Sequence, residues 1–244
     1  MDQREIEAAA AQLLGVRRGG PRIAELTVKP ASVAEAHAIQ DGVDAALGEP
    51  VGAFKANAPP SEEPTRGLIY ARTIQASPAR LSAAEGGDRG VEGEIAFRFR
   101  RDLPRRAAAY TREEVADAVD ACAAIEVVST RFIDGRERSA LEKLADCIGN
   151  GGFVPGETVR EWRKLDLASL HVALSVNGAV VLEQDGGHPI GDPLAVAVAL
   201  VNMLGVKAGQ YVTCGSCTGL RFLKAGDSCA VHFEGLGDAA VSFA

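Results

Sequence analysis

The sequence has no long apolar run. Its longest, Leu194 to Val201, is eight residues, against about 20 for a helix that crosses a bilayer. No membrane span is therefore expected. A basic, apolar leader is also missing. MDQREIEAAAAQLLG opens on acidic residues, which predicts a cytoplasmic chain without a signal peptide. Long runs of like charge are absent and 47% of residues are hydrophobic, which excludes general disorder. Excess positive charge is missing: 33 acidic against 26 basic side chains give a net charge of −7. That argues against nucleic-acid binding but leaves room for small anionic ligands. No repeat of about 20 to 50 residues is visible, so a solenoid is not expected.

Cysteine is sparse and odd in number, at five. Cys214 and Cys217 form a C-x-x-C, but His37, His171, His188 and His232 are scattered and supply no zinc partners. The stretch after the pair reads as strand and turn rather than the helix a thioredoxin-like motif needs. Packing is the expected role of both thiols. Cys122 and Cys147 fall in helix-like patterns and Cys229 in a strand-like one.

What is present is enough for a core in one or two domains, with 244 residues. Ser32-Val-Ala-Glu35 and Thr111-Arg-Glu-Glu114 are capping boxes. Asp192-Pro193 is an N-cap followed by a first-turn proline. Helical spacing follows each: Ala36, Gln40, Val43, Leu47; then Val115, Val119, Cys122; then Leu194, Val198, Val201. Gly48 and Gly205 stand as C-caps. Ile6, Ala9, Ala10 and Leu13 predict an N-terminal helix, and residues 137–147 another. HVALSVNGAVVLEQ is a hairpin turned by Asn177-Gly178, both of which accept positive φ. Strands dominate the final third, and PPSEEPTRG and AAEGGDRG read as loops. The expectation is a small, mostly helical part over 1–75 and a β-rich core over 76–244.

Three carboxylates are the candidates for chemistry. In Val91-Glu-Gly-Glu-Ile-Ala-Phe-Arg-Phe99 a period of two puts Glu92 and Glu94 on one face, about 7 Å apart, with the apolar set on the other. Glu126 interrupts the apolar strand AAIEVV, a costly place for an unpaired charge. If the strands pair, the three converge into a set of hard oxygen donors suited to Mg²⁺, Mn²⁺ or Ca²⁺. The alternative is a solvated Glu92 and Glu94, with Glu126 ion-paired to Arg98 or Arg131. Lys55 breaks the apolar run VGAFKANAP, either as an edge-strand lysine reaching water or as an ammonium aimed into a polar site. Asp146 sits at a helix C-terminus, unfavourable to the dipole, where it caps the following glycine loop or lines a site.

Together these segments resemble the 2-keto-4-pentenoate hydratase and 4-oxalocrotonate decarboxylase branch of the fumarylacetoacetate hydrolase superfamily. The likeness runs over roughly residues 20–244: SVAEAHAIQ, GAFKANAP, VEGEIAF followed by RDLP, AIEVV, the helix into Asp146 with GNGGFVPG, GDPLAVAVALVNML, and TCGSCTGLRFLKAGDSCAVHFEGLGDAAVSF. It implies an α+β fold: a mixed β-sandwich roll with a small helical N-terminal part. It also implies one Mg²⁺ or Mn²⁺ on Glu92, Glu94 and Glu126, with Lys55 in the site. Asp146, Gly215 and Ser216 fall around the substrate. Where hydratases of the family carry Pro-Asp-x-Gly, this chain reads Pro64-Thr-Arg-Gly67, so Thr65 replaces an aspartate thought to assist proton transfer.

The activity implied is metal-dependent hydration of a 2-hydroxy-2,4-dienoate or its 2-oxo-enoate tautomer in aromatic-compound degradation, the work of a lyase. Decarboxylation of a 2-oxo-enedioate and C–C hydrolysis of an acylpyruvate are the alternatives, and a catalytically weak partner subunit is the non-enzymatic one. The expected partners are a small anionic 2-oxo acid, further copies of the chain in a homo-oligomer, and a pathway-partner enzyme.

Overall fold

The computed structural model describes residues 1–82 and 87–244. The loop expected at AAEGGDRG lies partly outside the described residues. Two helices open the chain, α1 (Gln3–Arg17) and α2 (Val33–Leu47). Asp2 and Glu5 cap the first reciprocally, Ser32 caps the second, and Gly48 ends it in the left-handed conformation at φ 63°. Ala9, Ala10, Leu13, Ile39 and Val43 meet Phe132 and Leu144 in a core of their own.

Residues 51–70, counted with the helical part on sequence grounds, enter the larger sheet instead. β1 (Val51–Asn57) and β2 (Thr65–Tyr70) join β4 (Gly90–Phe99), β5 (Val119–Val128), β6 (Asn150–Pro155) and β9 (Tyr211–Ser216) in the order β2-β1-β9-β4-β5-β6. The two-residue β10 (Arg221–Phe222) pairs with the start of β4. After β2, Ile74 bridges to Phe153 of β6 and the Gln75 N–H donates to the Phe153 carbonyl at 3.1 Å. The sheet therefore rolls so that its first and last strands meet. The second sheet is β3 (Ala79–Leu81), β12 (Gly237–Phe243), β11 (Ser228–Phe233), β7 (His171–Val176) and β8 (Ala179–Asp185) in that order. Asn177 (φ 51°) and Gly178 (φ 80°) turn the β7–β8 hairpin as expected.

Val91, Ile95, Phe97 and Phe99 of β4 face Val231, Phe233 and Val241 of the second sheet in the main core. The opposite, inner face of the roll carries Ala53, Ile69, Ala96, Cys122, Ala124 and Phe153. Mostly small side chains there let the rolled sheet close on itself.

Two helical expectations are corrected. The Thr111 capping box forms, but α3 (Arg112–Ala116) stops after five residues, and Val119 and Cys122 lie in β5. Val115, Val119 and Cys122 fit a helical period by coincidence. β5 pairs with β4 on one side and β6 on the other, and a strand buried on both faces carries no alternation to betray it. The helix at 137–147 is shorter, α4 (Ala140–Ala145), and Cys147 follows it in a single 3₁₀ turn. The helix opened by Asp192 forms as read, α5 (Pro193–Leu204).

Candidate metal centre

The ladder of β4 and β5 sets Glu92 directly opposite Glu126, while Glu94, two residues on, shares their face. One carboxylate oxygen from each lies within 4.8 Å of the others. Glu94 and Glu126 are fully buried; Glu92 keeps 15% of its side chain exposed. A solvated pair is thus excluded, and Glu126 finds neither Arg98 nor Arg131 but Lys55.

Lys55 is not an edge-strand lysine. β1 lies between β2 and β9, and the ammonium lies 2.9 Å from Glu126 Oε2 on β5 and 3.3 Å from Glu92 Oε2 on β4. Burial alone would lower the Lys55 pKa, but the charges of Glu126, Glu92 and Glu94 outweigh it, and the net shift is upward. Burial likewise pushes Glu126 and Glu94 up, against the pull of Lys55.

A bulge in β9 completes the surroundings. Ser216 faces Glu94 and Thr213 faces Ala96, so β9 spends one residue more than β4 over this span. The bulge points the Gly215 N–H at Glu94 Oε2, 2.7 Å away, and the Thr213 hydroxyl donates to the same oxygen. Gly215 holds φ +114°, and a Cβ there would meet the Pro189 ring at 3.3 Å. On the other side the Asn150 amide donates to Glu126 Oε1 at 3.0 Å. These contacts orient two of the three carboxylates before anything binds.

Three glutamates against one lysine leave two uncompensated negative charges in a buried cluster. Glu94 Oε1 is buried without a hydrogen-bond partner among the described residues. An oxygen-only donor set with an orphaned, buried carboxylate oxygen fits a hard divalent cation.

The other expected residues divide. Gly215 adjoins the cluster, and Ser216 faces Glu94 with its hydroxyl buried and unpartnered among the described residues. Thr65 lies opposite Asn57, at the end of the ladder where Lys55 faces Gly67, and on the same face. Asp146 stands back from the glutamates. Its side chain accepts from the Thr130 hydroxyl at 3.0 Å, the Arg131 N–H at 2.9 Å and the Arg131 Nε–H. Arg131 in turn donates to the Asn150 carbonyl at 2.7 Å. Asp146 thereby holds Arg131 in place. Thr213, Asn150 and Arg131 are contacts the residue patterns did not single out for these roles. The first depends on a bulge and the others on a 3₁₀ turn, which leave no periodicity to read. Cys214 and Cys217 are free and buried, and burial pushes their thiols upward, Cys217 to about 12.

Beside the cluster lies a cavity of about 340 Å³, lined by Arg17, Tyr70, Arg72, Ser129, Arg131 and Asn150 among others.

A model of the fumarylacetoacetate hydrolase C-terminal family matches residues 42–243. The chain belongs to that family. Within it, the chain is 32% identical over 159 residues to the 2-hydroxyhexa-2,4-dienoate hydratase of Comamonas testosteroni, covering 63% of this chain and 59% of that protein. It is 31% identical to the 2-keto-4-pentenoate hydratase of Paraburkholderia xenovorans over 63% of this chain and 58% of that protein. The matched segment thus spans about three-fifths of these relatives' length. The fold superposes on 4-oxalocrotonate decarboxylase from Pseudomonas putida G7, complexed with magnesium and adipate, with a TM-score of 0.83 at 18% identity, over 100% of this chain and 99% of that one. Family and branch agree with the resemblance carried by the motifs.

Proposed function

We propose that the chain is a metal-dependent lyase that hydrates a 2-hydroxy-2,4-dienoate or its 2-oxo-enoate tautomer. The observation that carries this is the cluster of Glu92, Glu94 and Glu126 with Lys55 set against it; the hydratase relatives support the choice of reaction. Glu92, Glu94 and Glu126 would hold one Mg²⁺ or Mn²⁺. Bound there, such an ion supplies Lewis-acid polarisation of the 2-oxo acid. Thr213, Gly215 and Asn150 keep the carboxylates aimed inward. Lys55, its ammonium favoured by three carboxylates, stays protonated and neutralises the acid's anionic oxygens or delivers the proton that moves along the conjugated chain. Ser216 offers a free hydroxyl beside Glu94, and Thr65 lies further along the Lys55 face, where it orders water at the far end of the alkene.

The arginines lining the neighbouring cavity favour one second reading. A substrate with a carboxylate at both ends would point to decarboxylation of a 2-oxo-enedioate. The test follows the ultraviolet absorbance of 2-hydroxypenta-2,4-dienoate with Mg²⁺ or Mn²⁺ and with EDTA. Metal-dependent loss of the dienoate with gain of one water in the product is expected. Full turnover in EDTA, or no turnover with either metal, would sink the reading. Release of CO₂ from 2-oxohex-3-enedioate without hydration of the dienoate would replace it with the second.

A further inference from the structure

Two buried side chains on the same cavity each carry a donor atom that makes no hydrogen bond among the described residues. Arg17, at the end of α1, has only 9% of its side chain exposed, and its Nη2 has no hydrogen-bond partner among the described residues. Asp146 Oδ1 lies 3.8 Å from that nitrogen and is already engaged by Arg131. Tyr70, at the end of β2, is 1% exposed, and its hydroxyl is likewise unpartnered. The Arg17 guanidinium carbon stands 5.5 Å from the Tyr70 ring centroid. The Asp146 ion pair holds Arg17 at a distance without a direct hydrogen bond, and leaving donor atoms buried without one costs free energy that a ligand recovers.

The charges around the cavity are laid out unevenly. Arg17, Arg72 and Arg131 line it, while Asp146 engages Arg131, Glu49 pairs with Arg72 and Asp44 lies near Tyr70. The formal charges balance, and the lining itself is cationic. A planar guanidinium beside a phenol hydroxyl matches a carboxylate, which accepts from both. One residue separates this cavity from the glutamates: Asn150 lines it while its amide donates to Glu126 Oε1.

We propose that this cavity is a carboxylate-binding site in which Arg17 and Tyr70 are the donors. The carboxylate is either the far end of a dicarboxylic 2-oxo acid whose near end lies at the glutamates, or a free small dicarboxylate. The first source rests on the second reading above, in which the substrate carries a carboxylate at both ends; the site itself does not.

Two measurements on the full chain test it, with Arg17→Gln and Tyr70→Phe as variants. Tyr70→Phe keeps the ring, so it remains informative if Arg17→Gln folds poorly. First, succinate is titrated calorimetrically into chelator-treated protein. Second, kcat/KM is compared between 2-oxohex-3-enedioate and 2-oxopent-4-enoate in protein loaded with Mg²⁺. Weakening of succinate binding by about tenfold or more in the variants assigns the site to a free dicarboxylate. A similar fall in the preference for the dicarboxylic acid assigns it to the substrate's far end. Unchanged succinate behaviour together with unchanged preference overturns the proposal. If neither acid is turned over at all, the function reading fails, and the titration alone still decides the site.

Discussion

Glu94 is held in a configuration that costs the fold. It is fully buried beside two other carboxylates, and its pKa is raised, first by burial. A raised carboxylate pKa means that the folded state binds the proton longer than the unfolded chain does. Its contribution to stability is therefore lost as pH rises above the ordinary value near 4.5. Glu94→Gln should then stabilise the metal-free protein at pH 7 while weakening divalent metal binding by roughly a hundredfold or more. Manganese titration followed by electron paramagnetic resonance, with melting curves in EDTA, reads both signs. A variant that binds manganese like the parent would exclude Glu94 as a ligand. Lys55→Met removes the cation instead. Breaking a buried pair costs roughly 3–5 kcal/mol, so the metal-free variant should melt well below its parent. Added metal should restore most of that loss, and kcat should still fall by about 10²–10⁴. Unchanged turnover would remove Lys55 from the chemistry.

At the scale of elements, the placement of each group follows from how strands and helices meet. The bulge in β9 turns Gly215 toward Glu94, and α2 ties itself to β2 through polar contacts. Gln40 donates to the Arg66 carbonyl at 2.9 Å, and the Arg66 N–H donates to His37 Nε2 at 3.1 Å. An accepting Nε2 requires the neutral ring, with its one proton on Nδ1. Burial, followed by the charge of Arg66, lowers the His37 pKa from 6.5 to about 4. Above pH 6.5 neither state carries the extra proton. Below it the unfolded chain takes the proton while the folded one refuses it, so stability falls between pH 6.5 and about 4 and then levels. His37→Gln keeps an acceptor for the Arg66 N–H and should flatten that slope. Urea midpoints measured across this range provide the check, and equal slopes in parent and variant would rule the coupling out.

The whole molecule ties its helical layer to the rolled sheet. β1 and β2 follow directly on α2 and sit in the sheet beside β9. Phe132 and Leu144, from the far side of β5, complete the core under α1 and α2. A molecule knitted this way should unfold as one unit. Leu13 is 1% exposed in that core, and Leu13→Ala should cost roughly 2–5 kcal/mol. The single calorimetric transition should shift to lower temperature without splitting, whereas two resolved transitions would show the helical layer to be a separate unit.

Much of this was written in local pattern. The period of two around Glu92 and Glu94 determined that they share a face, because alternate side chains on a strand must. The capping residues determined where α2, α3 and α5 begin, and Asn177-Gly178 determined the hairpin, because few residues accept those dihedrals. The misplaced charges of Glu126 and Lys55 marked them as needing partners, since an apolar run does not tolerate a lone ion. Tertiary structure decided the rest. Pairing of β4 with β5 chose Glu126 as the third carboxylate, and the position of β9 set how far Lys55 must reach. β5 became a strand rather than a helix because it is hydrogen-bonded on both sides, a constraint no local window contains. Arg17 and Tyr70, 53 positions apart by their numbering, face one cavity only because the rolled sheet brings the end of β2 under α1. Such contacts depend on register and closure between distant segments, and neither leaves a mark in the order of neighbouring residues.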